Sequence, residues 1–152
     1  QRKKGLEETK WNGRLTIIHR NPLFIVDGAH NPAAADMLED SVRKYFKGRN
    51  MYFIMGVFRD KDYSYIIRKL CPYAEQIVTI ETPDNPRALP AQELAEAVRE
   101  CNPHVQAAEN IQDAVNKVFA MAEREDLILS FGSLSFIGEI TTIVKNREEK
   151  NL

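Results

Sequence analysis

Cysteine is scarce in these 152 residues: only Cys71 and Cys101 occur, thirty apart and without Cys-x-x-Cys spacing. Neither a disulfide framework nor a thiolate metal cage is suggested, and both read as ordinary buried thiols of a reducing compartment. Charge of one sign is lacking too, since 21 Lys and Arg against 22 Asp and Glu leave a formal net charge of −1. That balance offers no electrostatic footprint for DNA, RNA or an anionic membrane. No apolar run exceeds five residues, as in Met51 to Met55, whereas a membrane-spanning helix needs about 20. Gly-x-x-x-x-Gly-Lys-Ser/Thr, Gly-x-Gly-x-x-Gly and Gly-x-Ser-x-Gly are all absent, and no two of the three histidines stand at metal-ligand spacing. The chain therefore has no phosphate-cradling loop, nucleophile elbow or histidine-pair metal site of its own. It opens Gln1-Arg2-Lys3-Lys4, with no initiator Met and no apolar leader, and is expected to be a piece of a longer chain.

What is present is ordinary for a globular domain, 43% hydrophobic and 28% charged, and one domain is expected at this length. Leu23 to Val26, Met51 to Met55, Ile77 to Ile80 and Leu127 to Leu129 are continuous apolar runs, the pattern of strands buried on both faces in a parallel sheet. Leu15 to Ile18 is a further strand, separated from Leu23 by a turn at Asn21-Pro22. Strands that close pair antiparallel, so the sheet is expected to be mixed. Val105 to Ala108 is one more short strand candidate.

Helical stripes fill the gaps. Ile111, Ala114, Val115, Val118, Phe119 and Ala122 recur at the best helical spacing in the chain. Ala34, Met37, Leu38, Val42 and Tyr45 form a second stripe, and Leu94, Ala95, Val98 and Cys101 a third, opened by Pro90 at a first-turn position. Tyr63 to Leu70 and Leu134 to Val144 complete the set. Such alternation predicts an α/β three-layer sandwich with ligands gathered at the carboxyl edge of the sheet. Three apolar runs reach that edge at glycine: Gly28, Gly56 and Gly132.

Chemistry concentrates beside those glycines. In Asp27-Gly28-Ala29-His30-Asn31-Pro32, Asp27 should reach the sheet rim, Gly28 permits a turn or a close ligand, and Asn31-Pro32 is a good helix start. The helix mouth favours an anion, and Asp27 and His30 crowded into one turn point to function more than to packing. Arg59-Asp60-Lys61-Asp62 is either a solvated charge cluster or a loop that touches a charged ligand. Ser133, in Gly132-Ser133-Leu134-Ser135, can cap a helix, present its hydroxyl to a carboxylate, or do both. Arg14, in Trp11-Asn12-Gly13-Arg14, is a phosphate fork or a surface arginine, and Arg87 is a weaker version of the same. His19 and His104 read as surface residues without partners.

Trp11-x-Gly13-Arg14-Leu15, Asp27 to Pro32, Asp60-Lys61-Asp62, Pro86-Arg87-Ala88 and Gly132-Ser133-Leu134, in this order, resemble the C-terminal domain of folylpolyglutamate synthase/dihydrofolate synthase, of the Mur ligase superfamily. The resemblance covers roughly residues 10 to 145. It implies a Rossmann-like, mostly parallel sheet with one antiparallel strand, a flexible flank over residues 1–9 and a charged tail over 146–152. It implies an ATP-dependent amide ligase of the cytoplasm, in which a folate carboxylate is phosphorylated and L-glutamate attacks the acyl phosphate. By motif match Arg14 and Asp27 would meet ATP, and His30 and Ser133 would hold glutamate, with His30 catalytic. Gly28, Asn31, Lys61 and Asp62 would support them. The phosphate loop, the Mg2+ ligands and most of the folate site would belong to an N-terminal domain, leaving this piece inert alone. No metal ligand, nucleic acid or membrane is expected here. The rivals are a receiver-like signalling module, disfavoured by Ser133-Leu134 where a lysine is needed, a cell-wall ligase of the same superfamily, and a plain dinucleotide-binding domain.

Overall fold

The computed structural model describes residues 9–11 and 15–150. Its elements follow the chain as β1 (Thr9–Trp11), β2 (Leu15–His19), β3 (Leu23–Val26), α1 (Pro32–Tyr45), β4 (Met51–Met55), α2 (Tyr63–Leu70), β5 (Gln76–Thr79), α3 (Ala91–Arg99), β6 (Val105–Ala107), α4 (Ile111–Met121), β7 (Leu127–Phe131) and α5 (Ile137–Lys150), with 3-10 turns at Cys71–Tyr73 and Leu134–Phe136. The seven strands lie in the order β1-β2-β3-β7-β4-β5-β6. Strands β3, β7, β4, β5 and β6 pair parallel, and β2 pairs antiparallel with both β1 and β3. One strand, β2, thus runs against all the others, as expected.

The continuous apolar runs are explained by a sheet covered on both sides. Ile25, Phe53, Met55, Ile77 and Leu129 pack with α1, α2 and α3 on one face, while Phe24, Ile54, Val78 and Ile128 pack with α4 and α5 on the other. A fully buried side chain of this kind contributes about 1.5–3 kcal/mol, so both layers are needed to hold the sheet's edge in place. Helix α4 buries Ile111, Ala114, Val115 and Val118 of the stripe read from its spacing, while Phe119 is half-buried and Ala122 is the helix C-cap.

Five local expectations are corrected. Helix α1 buries Ala35, Leu38, Ser41 and Val42, while Met37 and Tyr45 are 48% and 42% exposed. Its inner face is displaced because small Ser41 fits under the sheet, and the buried Phe46 just past the helix takes the place assigned to Tyr45. Pro90 is the N-cap of α3 rather than its first residue. The fifth helix begins as a 3-10 turn at Leu134, becomes α-helical at Ile137 and runs through the charged residues to Lys150. His19 is half-buried, donating Nδ1–H to Pro22 O at 2.8 Å and packing edge-on against Phe119; His104 is exposed as expected. Strand β1 has no counterpart in the sequence reading, which places Thr9 in a flexible flank.

Candidate functional site

The parallel strands deliver their carboxyl ends to one edge, and the sequence at each exit decides what is shown there. Beyond β3, Asp27 N donates to Ser130 O at 2.9 Å, extending the ladder by one residue. The Asp27 carboxylate then folds back, Oδ2 accepting from Ala29 N at 3.0 Å, and only 7% of the residue is exposed. Next, His30 Nδ1 lies 2.8 Å from Gly28 O. A carbonyl oxygen can only accept, so Nδ1 carries the proton and the neutral ring keeps an acceptor lone pair on Nε2. Asn31 caps α1, its Oδ1 accepting from Ala34 N at 2.8 Å, with Pro32 as the first helical residue.

Strand β7 leaves through Gly132, whose φ is +117°. A Cβ there would collide with the backbone oxygen of Gly56 at the end of β4, so the exits of two adjacent strands touch and only glycine fits between them. Ser133 follows, 3% exposed, its Oγ accepting from Ser135 N at 3.1 Å and sharing a 2.8 Å hydrogen bond with Ser135 Oγ. Its hydroxyl thus caps the 3-10 turn that opens at Leu134.

The loop after β4 is zipped to the loop after β5. Phe58 bridges Ala88, Arg59 N donates to Arg87 O at 2.7 Å, and Leu89 N donates to Val57 O at 3.1 Å. Arg87 lies 4.5 Å above the Phe58 ring and donates from Nη2 to both Asp60 oxygens, at 3.1 and 2.9 Å. That guanidinium holds the Asp60 carboxyl below its usual range. Asp62 caps α2, accepting from Tyr65 N at 3.3 Å. The charge cluster divides its work: Asp60 pairs, Asp62 caps, and Lys61 has no ion pair among the described residues.

These segments line an open cavity of about 430 Å3, within the volume range of small-molecule sites. His30 comes to it from β3, Phe58 and Lys61 from β4, and Asn85 and Arg87 from β5. Ser133, Leu134 and Ser135 come from β7. Of the residues expected from the sequence, His30, Lys61 and Ser133 meet here. Asp27 does not line the cavity, because its carboxylate is turned onto the Ala29 amide; Gly28, Asn31 and Asp62 do not line it either, Asn31 and Asp62 being spent as the caps of α1 and α2, and Arg14 lies outside the described residues. Asn85, Phe58 and Ser135 were missed. Asn85 could have been found as an Asx turn, its Oδ1 accepting from Arg87 N at 2.9 Å. Among the described residues no three His, Cys, Asp or Glu side chains could hold a metal ion.

The model of the Mur ligase glutamate ligase domain matches residues 13–134. The dihydrofolate synthase/folylpolyglutamate synthase of Bacillus subtilis is 27% identical over 143 residues, spanning 94% of this chain and 33% of that protein. Among solved structures, Mycobacterium tuberculosis folylpolyglutamate synthase complexed with ADP and AMPPCP matches with a TM-score of 0.72 and 28% identity, over 92% of this chain and 32% of that one. Escherichia coli FolC in complex with ADP shares the fold with a TM-score of 0.77 at 23% identity, over 88% of this chain and 31% of that one. The chain spans about a third of the length of the curated relatives it matches first.

Proposed function

The chain belongs to the Mur ligase family, in its glutamate ligase domain, and from that membership we propose that it holds the incoming amino acid of an ATP-dependent ligase that adds L-glutamate to folates, in the cytoplasm. The observation that carries the reading is the single cavity into which His30, Lys61 and Ser133 converge from three strand ends.

Amide formation from a carboxylate needs a better leaving group than oxide, and an acyl phosphate supplies one. The attacking amine must then be neutral and in line, with the anions around it balanced by fixed charge and dipoles. Glutamate arrives as an ammonium ion. His30, held by Gly28 O with its Nε2 lone pair available, is the group placed to accept that proton. Lys61 supplies a positive charge for a glutamate carboxylate, and the paired Ser133 and Ser135 hydroxyls can donate to a carboxylate oxygen. Arg87 is held by Asp60 and Phe58, so it forms a wall more than a mobile fork. Asp27, buried behind this edge, and Arg14 are assigned to the nucleotide.

The folate site, the phosphate loop and the metal ligands are assigned to chain outside these 152 residues. The support is that relatives are about three times as long and that no Gly-x-x-x-x-Gly-Lys-Ser/Thr stands in the sequence.

The isotopically labelled chain titrated with L-glutamate tests the binding half of the reading. Saturable shifts at the His30, Lys61 and Ser133 amides are expected, weak because half of the walls are elsewhere, and weaker again for L-glutamine. Glutamate shifts confined to other parts of the chain would refute it.

A further inference from the structure

The amino-terminal edge of the sheet, at the other end of β4, carries a second cavity of about 590 Å3. Arg43, Lys47 and Arg49 line it together with the apolar Val42 and Met51 and the ring of Tyr73. From Met51, which lines this cavity, β4 runs to Met55 over roughly 13 Å of backbone, and Phe58 of the first cavity lies beyond it, so one small ligand cannot occupy both.

The charges here are one-sided. No carboxylate lines the cavity. The nearest acid in the helix, Glu39, is already engaged, accepting from Tyr73 Oη at 2.7 Å and from Lys69 Nζ at 2.9 Å. Asp40 pairs with Lys44 at 3.4 Å. Arg43 and Lys47 are exposed and have no ion pair among the described residues. Arg49 donates from Nε and Nη2 to Glu125 O at 3.1 and 2.9 Å, which fixes the guanidinium while its other N–H groups stay unspent. Cations at the end of a helix commonly answer its dipole, and that accounts for Arg43 and Lys44. It does not account for Lys47 and Arg49, which lie beyond the helix, or for a cavity floored by Met51. Tyr73 is also set in advance: its hydroxyl bond to Glu39 fixes the ring as an apolar wall beside the three cations.

We infer that this cavity is a second ligand site, taking a small molecule with a flat or apolar body and two or more clustered negative charges. A nucleoside diphosphate and an aromatic polycarboxylate share that chemistry. Multiple charges are required because Glu39 offsets only part of the charge on Arg43 and is shared with Lys69, while Lys47 and Arg49 have no ion pair among the described residues. A flat or apolar body is required because the Tyr73 ring, only half-buried, stands open beside the three cations.

The test is a titration of the isotopically labelled 152-residue chain with ADP, benzene-1,3,5-tricarboxylate and inorganic pyrophosphate in separate arms, reading the Gly48, Arg49 and Met51 amides. ADP or the tricarboxylate should shift them saturably, with affinity at least tenfold weaker in Arg43→Glu/Lys47→Glu. Response to only one of these two identifies the charged group that is read. These substitutions are at exposed positions, and unchanged His30 and Ser133 signals would show that the fold is kept. Silence of all three amides with every probe, undiminished affinity in the double variant, or pyrophosphate binding as tightly as ADP and the tricarboxylate would overturn the inference.

Discussion

His30 takes its chemistry from one neighbour, the carbonyl of Gly28, which engages Nδ1 and leaves Nε2 to accept. Lys61 is the complementary group: it lines the cavity without a paired acid among the described residues. Replacing Lys61 by Met should raise the KM for glutamate about tenfold, the usual cost of one charge-assisted contact, with the KM for ATP unchanged in steady-state assays of the ligase carrying this domain. Asn31 acts differently, closing the first turn of α1 through Ala34 N. Asn31→Ala should cost about 1 kcal/mol in denaturant unfolding. The candidates legible in the sequence were those next to an apolar run that ends in glycine, because strand, turn and helix mouth follow each other there without long-range help. Asp27 was legible as a rim residue, but its turn inward was not, since that depends on the Ala29 amide. Phe58 and Asn85 were hidden because the wall they build exists only once loops 30 residues apart are zipped at Phe58 and Ala88.

At the scale of elements, the site depends on how strands leave the sheet and how α1 is braced. Gly132→Ala would force both a positive φ and a collision with Gly56 O. A destabilisation of about 1–3 kcal/mol is expected, read as a lower unfolding midpoint with unchanged m-value. Helix α1, which starts at the site, is tied to α2 and the turn after it by Glu39, Lys69, Asp36, Tyr65 and Tyr73. The Tyr73 hydroxyl, and after it Lys69, hold the Glu39 carboxyl below its usual range. A lowered folded-state value means the stabilisation is complete above the unfolded pKa of about 4.3 and is lost as pH falls through the folded value. Urea midpoints should therefore separate wild type from Glu39→Gln at pH 7, and the gap should close on acidification below pH 4. Periodicity found α4 whole, since all its inward positions are apolar. It misphased α1 because an inward serine, Ser41, does not announce burial, and it missed β1 because three residues with Lys10 among them carry no strand pattern.

The whole molecule is one covered sheet that presents a cavity at each end of its strands. The mixed α/β class could be read from continuous apolar runs and one close strand pair, whereas the order β3-β7-β4 could not, because inserting the last strand between two early ones leaves no local trace. Under the proposed division of labour the purified 152-residue chain should neither hydrolyse ATP nor ligate glutamate. Turnover by it in a phosphate-release assay would place the phosphate site within these residues. The most direct measurement is ATP- and folate-dependent incorporation of L-glutamate by the proposed ligase, across a range of glutamate concentrations. Loss of a general base predicts that His30→Ala lowers kcat about 100-fold or more, and loss of a carboxylate contact predicts that Ser133→Ala raises the KM for glutamate about tenfold. Wild-type kinetics in both variants, with the fold intact, would contradict the account.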